Sequence, residues 1–353
     1  LFPRIFHVSC ANIVCYTCVM NWITPLIEWY QQNARDLPWR RTQDGYAVWI
    51  SEIMLQQTRV AAVIPYYERF MRELPDIGAL ANVDDDRLHK LWEGLGYYSR
   101  ARNLKKAAVE IVSHFDGSMP QRYDLLLTLP GIGEYTAGAI ASIAFGEAVP
   151  AVDGNVLRVY ARLFGEARDI RDPAFKKEVR AFLLPLIPKD QPGVFNAALM
   201  ELGATVCLPN GQPKCGECPV REYCIAYREN RTAELPVLSA KKARKIERKT
   251  VFALTLNGGL IGFRRPENGL LAGLWQLPET TGELSDAECA TWLGEHGINP
   301  IGELRFYERK HIFTHIEWHM RVCAAEVSAD ALPEGWIVLD ESHALPTAYR
   351  VCL

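Results

Sequence analysis

Near residue 250 the apolar residues of this chain change their period, and that break constrains the fold more than any other feature. From about residue 21 to 230 they recur at three- and four-residue spacing between short Gly, Pro or Asp breaks, the signature of amphipathic helices. The pattern predicts helices over 22–33, 47–58, 60–72, 85–94, 99–114, 122–128, 134–145, 153–163, 174–186 and 193–203. Beyond 250 the period becomes two. TVFALTL, Asn257-Gly258-Gly259 and LIGFRR read as a hairpin, and in HIEWHMRVCAAEV the residues Ile316, Trp318, Met320 and Val322 share one face. Ser285 to His296 reads as a helix stopped at Gly297. The expected fold is therefore multi-domain: a mainly α domain, then a small α+β domain.

With 353 residues the chain has room for two or three domains. A formal net charge of -3 excludes a histone-like polycation, so any contact with nucleic acid must come from local patches. Ten cysteines point to a disulfide framework only in short chains with a signal peptide, and neither condition is met. A reducing compartment is expected. Residues 1–19 are interrupted by His7, Ser9 and Asn12, lack a convincing cleavage site and fall short of a transmembrane length. They are expected to stand outside the fold, which begins at Met20 before the pattern Trp22, Leu26, Trp29, Tyr30. The lone C-x-x-C of Cys15 and Cys18 reads as incidental. Residues 229–249 contain Lys241, Lys242, Arg244, Lys245, Arg248 and Lys249. They are expected to form a basic, solvated linker that could also graze a phosphate backbone.

Cys207, Cys215, Cys218 and Cys224 follow one another as C-x7-C-x2-C-x5-C in a Pro- and Gly-rich stretch. Four thiolates this close can surround one metal centre. Zinc competes for such a set, but a compact single loop favours a [4Fe–4S] cluster with a structural role. Two carboxylates stand out. Glu52 lies in VWISEIMLQQT, apolar on almost every side, where burial raises a carboxyl pKa and lets it donate a proton near neutral pH. The bland alternative is pairing to Arg59 or to a helix dipole. Asp153, in AVDGNVLRV, reads as an N-cap and is expected to stay ionised. One protonated and one ionised carboxyl group is the arrangement that breaks glycosidic bonds.

In LLLTLPGIGEYTAGAIASIAFG a short helix ends, Pro130 to Gly133 turn, and a second helix continues through small residues. Gly131 and Gly133 allow a tight turn that aims backbone N–H groups at a phosphate. A bare G-x-G would more often be a packing corner. This one is preceded by Glu52 and followed by Asp153.

Taken together, L-P-G-I-G with the downstream aspartate resembles the helix-hairpin-helix glycosylase superfamily. SEIMLQQT, GLGYYSRARNL, VDGNV and the four-cysteine loop, in that order, resemble the MutY-type adenine DNA glycosylases. The resemblance covers roughly residues 22–350. It implies a helical glycosylase domain over 20–228 (a six-helix barrel plus an iron–sulfur domain, cluster loop 207–224), the linker over 229–249, and a nudix-like domain over 250–353 that recognises 8-oxoguanine. It further implies that Glu52 protonates the departing adenine at N7, that Asp153 stabilises the oxocarbenium ion, and that Asn155 stands beside it. Arg35, Trp39 and Arg40 of RDLPWR fall where the family forms its adenine pocket, although Trp39 could equally be core. Gln56, Gln57 and Tyr97 fall on DNA-contacting positions, with Gln57 and Tyr97 entering the duplex near the partner base, and Gly131 and Gly133 grip a phosphate. Phe313, Thr314 and His315 match the family's F-S-H loop against 8-oxoguanine, Thr314 keeping the serine's hydroxyl. No R-E-x-x-E-E run follows GLWQLPE, so nucleotide hydrolysis is not expected.

Tyr135 stands where endonuclease III enzymes carry a Schiff-base lysine; a phenol cannot form that imine. The resemblance therefore implies hydrolysis of adenine from duplex DNA mispaired with 8-oxoguanine or guanine, with little or no lyase activity. It implies a [4Fe–4S] cofactor, a monomer, no membrane, and a cytoplasmic, nucleoid-associated location in a bacterium, or a nuclear or mitochondrial one in a eukaryote. The alternatives are an endonuclease III-like glycosylase/lyase and a non-catalytic iron–sulfur DNA-binding protein. Two departures stand out: a first cysteine gap of seven residues where six is usual, and Ala197 where a Gln or Glu is expected against the adenine edge.

Overall fold

A computed structural model describes residues 21–240 and 243–353. The expectations for residues 1–19, including Cys15 and Cys18, and for Lys241 and Lys242 lie outside the described residues. The fold forms two compact units. One comprises residues 21–57 together with 110–240, the other residues 58–109 together with 243–353.

The first unit is helical. Its described elements are α1 (Ile23–Asn33), α2 (Gly45–Leu55), the end of α6 (Ser99–His114), α7 (Tyr123–Leu126), α8 (Glu134–Phe145), α9 (Gly154–Leu163), α10 (Pro173–Leu183), α11 (Pro192–Thr205) and α12 (Ile225–Arg228). The caps explain several starts. Asp44 accepts from the backbone N–H groups of Tyr46 and Ala47, Asp153 from Val156 and Asp172 from Ala174, each satisfying donors that a first helical turn leaves open. The core gathers Trp22, Leu26, Val156, Val159, Phe175, Phe195, Leu199 and Leu202. Here α11 packs against α1, α8 and α9, and α2 against α8.

The second unit joins α3 (Val60–Glu73), α4 (Ile77–Asn82), α5 (Asp85–Trp92) and the start of α6 to a seven-stranded sheet. Its main path runs β3 (Trp275–Gln276), β2 (Gly259–Arg264), β1 (Lys245–Leu256), β6 (Ile316–Ser328), β5 (Asn299–Ile312), with β4 (Glu279–Thr281) on β1 and β7 (Trp336–Leu339) on β2. Strands β1 and β6 are parallel, with Val251 opposite Val322. Their alternation serves two faces. Val251, Trp318, Met320 and Val322 pack with Tyr349 of α14 (Thr347–Arg350), while Phe252, Leu254 and Cys323 pack with Cys289 and Leu293 of α13 (Asp286–Glu295). The hairpin at Asn257-Gly258 forms, both residues having positive φ. Strand β5, a long antiparallel partner of β6, has no counterpart in the apolar pattern because most of its residues are exposed at the sheet edge. No helix among the described residues is long and apolar enough to cross a membrane.

Candidate active site

Glu52 lies near the end of α2, a helix buried from Gly45 to Met54. Its carboxylate accepts a hydrogen bond of 2.5 Å from the Tyr135 hydroxyl on α8, which also lies 3.3 Å from Met200 Sδ on α11. Burial pushes Glu52 up to about 7; the Tyr135 hydrogen bond opposes this, the Asp153 charge adds to it and Arg40 works against it. The same burial, with the two neighbouring carboxylates, holds the Tyr135 phenol well above its usual range, so it remains a neutral donor.

Asp153 is the N-cap of α9. It accepts from Val156 N at 2.8 Å and from Asn155 Nδ2 at 2.6 Å. Burial raises its pKa despite these bonds and the nearby Arg158 charge. Capping alone therefore does not govern its ionisation. Asn155 in turn accepts from the buried Arg158 guanidinium at 2.8 Å, and Arg158 also donates to the carbonyls of Gly203 at 2.7 Å and Cys207 at 2.8 Å. One side chain thus ties the Asp153–Asn155 corner to the first cysteine of the loop.

Arg35 and Arg40 converge on Glu201, an acid whose side chain is only 1% exposed. Arg35 Nε and one of its terminal nitrogens each donate at 2.7 Å to a different carboxylate oxygen, and Arg40 donates at 2.7 Å. Burial would raise Glu201, but these two arginines outweigh it and hold the carboxyl at about 2. Sequence reasoning missed Glu201, although a charge inside the apolar helix VFNAALMEL is the signal that singled out Glu52. Trp39 is buried in the turn Pro38–Arg40, and Ala197, one helical turn before Glu201, is buried as well.

In the turn before α8, Gly131 has φ 76, where L side chains are disfavoured, but Gly133 has φ -93 and a Cβ there would meet nothing. The turn thus requires glycine at one of the two positions, not both. Gly138, in the same stretch, is confined for another reason: a Cβ would lie 2.4 Å from the Pro150 carbonyl oxygen. Gln56 donates to Thr136 Oγ1 at 3.3 Å, whereas Gln57 is exposed with φ 60.

The four loop cysteines are free and line one pocket with Arg162, Val206 and Pro213. Arg162 donates to Cys207 Sγ at 3.3 Å, and burial pushes the Cys218 thiol up to about 12. The seven-residue first gap closes on itself: Lys214 N donates to Val206 O at 3.0 Å and Gly211 takes φ 73. Cys215 is thereby returned to the pocket. Among the described residues no group of three cysteine, histidine or acidic side chains converges tightly enough for a single ion. A thiol set lining one pocket beside a cationic donor nevertheless fits an anionic iron–sulfur centre.

In the second unit the loop between β5 and β6 carries Phe313, Thr314 and His315. Phe313 is anchored by edge contacts with His311 and Trp318. Thr314 and His315 are exposed, and Thr314 Oγ1 lies 3.0 Å from the Tyr97 hydroxyl. Tyr97 is half exposed with φ 49, and the Arg100 guanidinium sits 5.6 Å from its ring.

The chain is similar to known proteins over most of its length. Residues 50–185, which include Glu52, Tyr135 and Asp153, match the HhH-GPD superfamily base excision DNA repair protein model, and residues 250–353 match the NUDIX domain. Adenine DNA glycosylases of Mus musculus and Homo sapiens are each 35% identical over 395 residues, spanning 92% of this chain and 76% and 72% of theirs. That of Arabidopsis thaliana is 37% identical, over 82% of this chain and 55% of its own. Among solved structures, a thermostable thymine-DNA glycosylase superposes with TM-score 0.54 at 29% identity, covering 59% of this chain and 95% of its own. Endonuclease III in a non-covalent DNA complex gives 0.51 at 25% identity, covering 59% of this chain and 94% of its own.

Proposed function

Since this chain belongs to the adenine DNA glycosylase family and is a base-excision DNA repair glycosylase, we propose that it removes adenine mispaired with 8-oxoguanine or guanine in duplex DNA by hydrolysing the N-glycosidic bond. The observation that carries this reading is the 2.5 Å hydrogen bond from Tyr135 to Glu52, in a pocket where burial lifts Glu52 to about 7. Such a carboxyl group holds a proton at neutral pH and delivers it to N7 of the leaving adenine, neutralising the base as the C1′–N9 bond breaks. Asp153, oriented by Asn155 and the Val156 N–H, faces the cationic sugar and stabilises its oxocarbenium character. Water then completes the hydrolysis. Adenine must leave the stack to reach these groups, and Gln57 and Tyr97, both exposed in the left-handed region, are suited to fill or wedge the duplex.

Tyr135 makes the enzyme monofunctional. A neutral phenol that donates to Glu52 supplies no amine for an imine at C1′, so β-elimination of the strand has no covalent route. The Phe313–His315 loop reads 8-oxoguanine through the Thr314 hydroxyl, and the nudix-like domain acts as a recognition module. The adenine DNA glycosylase and endonuclease III families generally carry a [4Fe–4S] cluster, and Cys207, Cys215, Cys218 and Cys224 would hold one here. When bound it serves as a structural cross-link of the loop. The enzyme works wherever the cell keeps its DNA, in the nucleoid or in the nucleus or mitochondrion.

The test is incubation with a duplex containing adenine opposite 8-oxoguanine, followed by alkali. Strand cleavage at the adenine is expected for wild type and none for Glu52→Gln, with no borohydride-trapped protein–DNA adduct. Absence of an alkali-labile product from wild type refutes the reading. A trapped adduct instead favours a lyase.

A further inference from the structure

Glu201 takes no part in the chemistry described above, yet it is among the most thoroughly buried acids of the helical unit. It receives four hydrogen bonds from one short segment: Arg35 N at 3.2 Å, two from the Arg35 side chain and one from Arg40. Arg40 is fixed further by donating to Arg35 O at 3.1 Å and by lying 5.5 Å from the Tyr30 ring centre. The helix that carries Glu201 also carries Met200, whose sulfur touches the Tyr135 hydroxyl. The anchor for the arginines and a wall of the Glu52 pocket are therefore one rigid element.

We propose that Glu201 is a positioning residue: it clamps the Arg35–Arg40 segment to α11 and holds the Arg40 guanidinium away from Glu52, so that Glu52 keeps the proton it delivers. This rests on the reading of Glu52 as the acid. The charges around the two carboxylates are few. Glu52 is bonded by Tyr135 from α8 and feels the charges of Asp153 at the start of α9 and of Arg40, while Glu201 is bonded by Arg35 and Arg40 and lies in the field of Tyr30 of α1. Arg40 is the one cation in both sets, and at its present position it already favours the ionised form of Glu52. With Glu201 neutral, two guanidinium groups share no anion in a partly buried site. Arg40, released, gains most by approaching the remaining carboxylates. A cation moving within about 4–6 Å of a carboxyl group lowers its pKa by roughly 1–3 units.

The experiment measures single-turnover adenine release from duplex DNA against pH for wild type, Glu201→Gln, Arg40→Gln and Glu52→Gln. Wild type is expected to lose rate as pH rises through the Glu52 transition. Glu201→Gln should move that alkaline limb down by about one pH unit, a rate about tenfold lower one unit above the wild-type inflection. Arg40→Gln, which removes the cation, should move it up. A uniform loss at every pH with the limb unmoved in both variants overturns the proposal and reduces Glu201 to a structural role. If Glu201→Gln does not fold, Arg40→Gln decides: an unmoved limb there overturns the proposal too. Infrared titration of the carboxyl band in the DNA-free protein reads the same shifts without turnover. Failure of the Glu52 reading shows differently, as base release that persists in Glu52→Gln.

Discussion

Glu52→Gln should abolish base release and yet stabilise the protein, and the gain should grow with pH. A carboxyl group that titrates at about 7 when folded and near the ordinary glutamate value when unfolded binds more protons in the native state. Stability is then lost as pH rises from the unfolded pKa to the folded one, and the full penalty is present above both. With a folded value of about 7 and an unfolded value of about 4.5, linkage gives a negligible penalty at pH 4, about 1 kcal/mol at pH 5 and about 3 kcal/mol at pH 8. Glutamine keeps the shape, accepts the Tyr135 hydrogen bond and never ionises. The difference between variant and wild type should therefore rise by about 2–3 kcal/mol between pH 5 and pH 8, because other titrating groups largely cancel in it. Urea denaturation of both proteins across that range, followed by the helical circular dichroism signal that the first unit dominates, measures it. A difference that is flat with pH would refute the claim that Glu52 is held protonated by burial, whatever the activity shows.

Three further outcomes follow from backbone approach and from the Arg158 bridge. Gly138→Ala places a Cβ 2.4 Å from the Pro150 carbonyl and should destabilise by about 1–3 kcal/mol despite alanine's better helix propensity. Gly133→Ala meets nothing and should leave stability within about 0.5 kcal/mol, while weakening duplex binding if a phosphate rests on that turn. Melting curves and DNA titrations separate the two. Arg158→Lys cannot reproduce the contacts to Asn155, Gly203 and Cys207 and should lower both base release and iron content, read by single-turnover rate and by metal analysis.

Most helices of the first unit were legible, α9 and α10 from an apolar stripe and α2 and α8 from an apolar run buried nearly all round, whereas α12, four residues long, was not. Predicted 99–114 and 134–145 coincide with α6 and α8 because a Gly or Ser and the apolar period mark the same ends. Strand β5 was not legible, since an exposed edge strand such as Asn299–Ile312 carries no alternation. Nor was α4, six residues long, too short for a period. The grouping of Thr58–Val109 with the C-terminal sheet also escaped, because the links that make it join residues far apart in sequence. Arg264 pairs with Asp86, and Arg102 donates to Ala272 O. At the site, Glu52 announced itself as a charge in an apolar helix. Glu201 carries the same signal, but its partners Arg35 and Arg40 lie 166 and 161 residues away in sequence, so nothing local marks the pairing.

Backbone approach joins side-chain contact in fixing the two carboxyl groups relative to each other. Gly138 lets α8, which carries Tyr135, come against Pro150, three residues before Asp153. Gly203 lets α11, which carries Met200 and Glu201, come against Asn155, where a Cβ would lie 2.5 Å from the asparagine Cβ. Arg158 then bonds the Gly203 carbonyl that this approach brings within reach. Three helices thus meet at Asp153 and Asn155 through two glycines and one guanidinium. A site held this way tolerates little: displacing α8 moves Tyr135 and loosens Glu52, and displacing α11 moves the acid that restrains Arg40. The T-A-G that follows Tyr135 therefore bears on the geometry of the candidate site through Gly138, a residue that contacts neither carboxyl group.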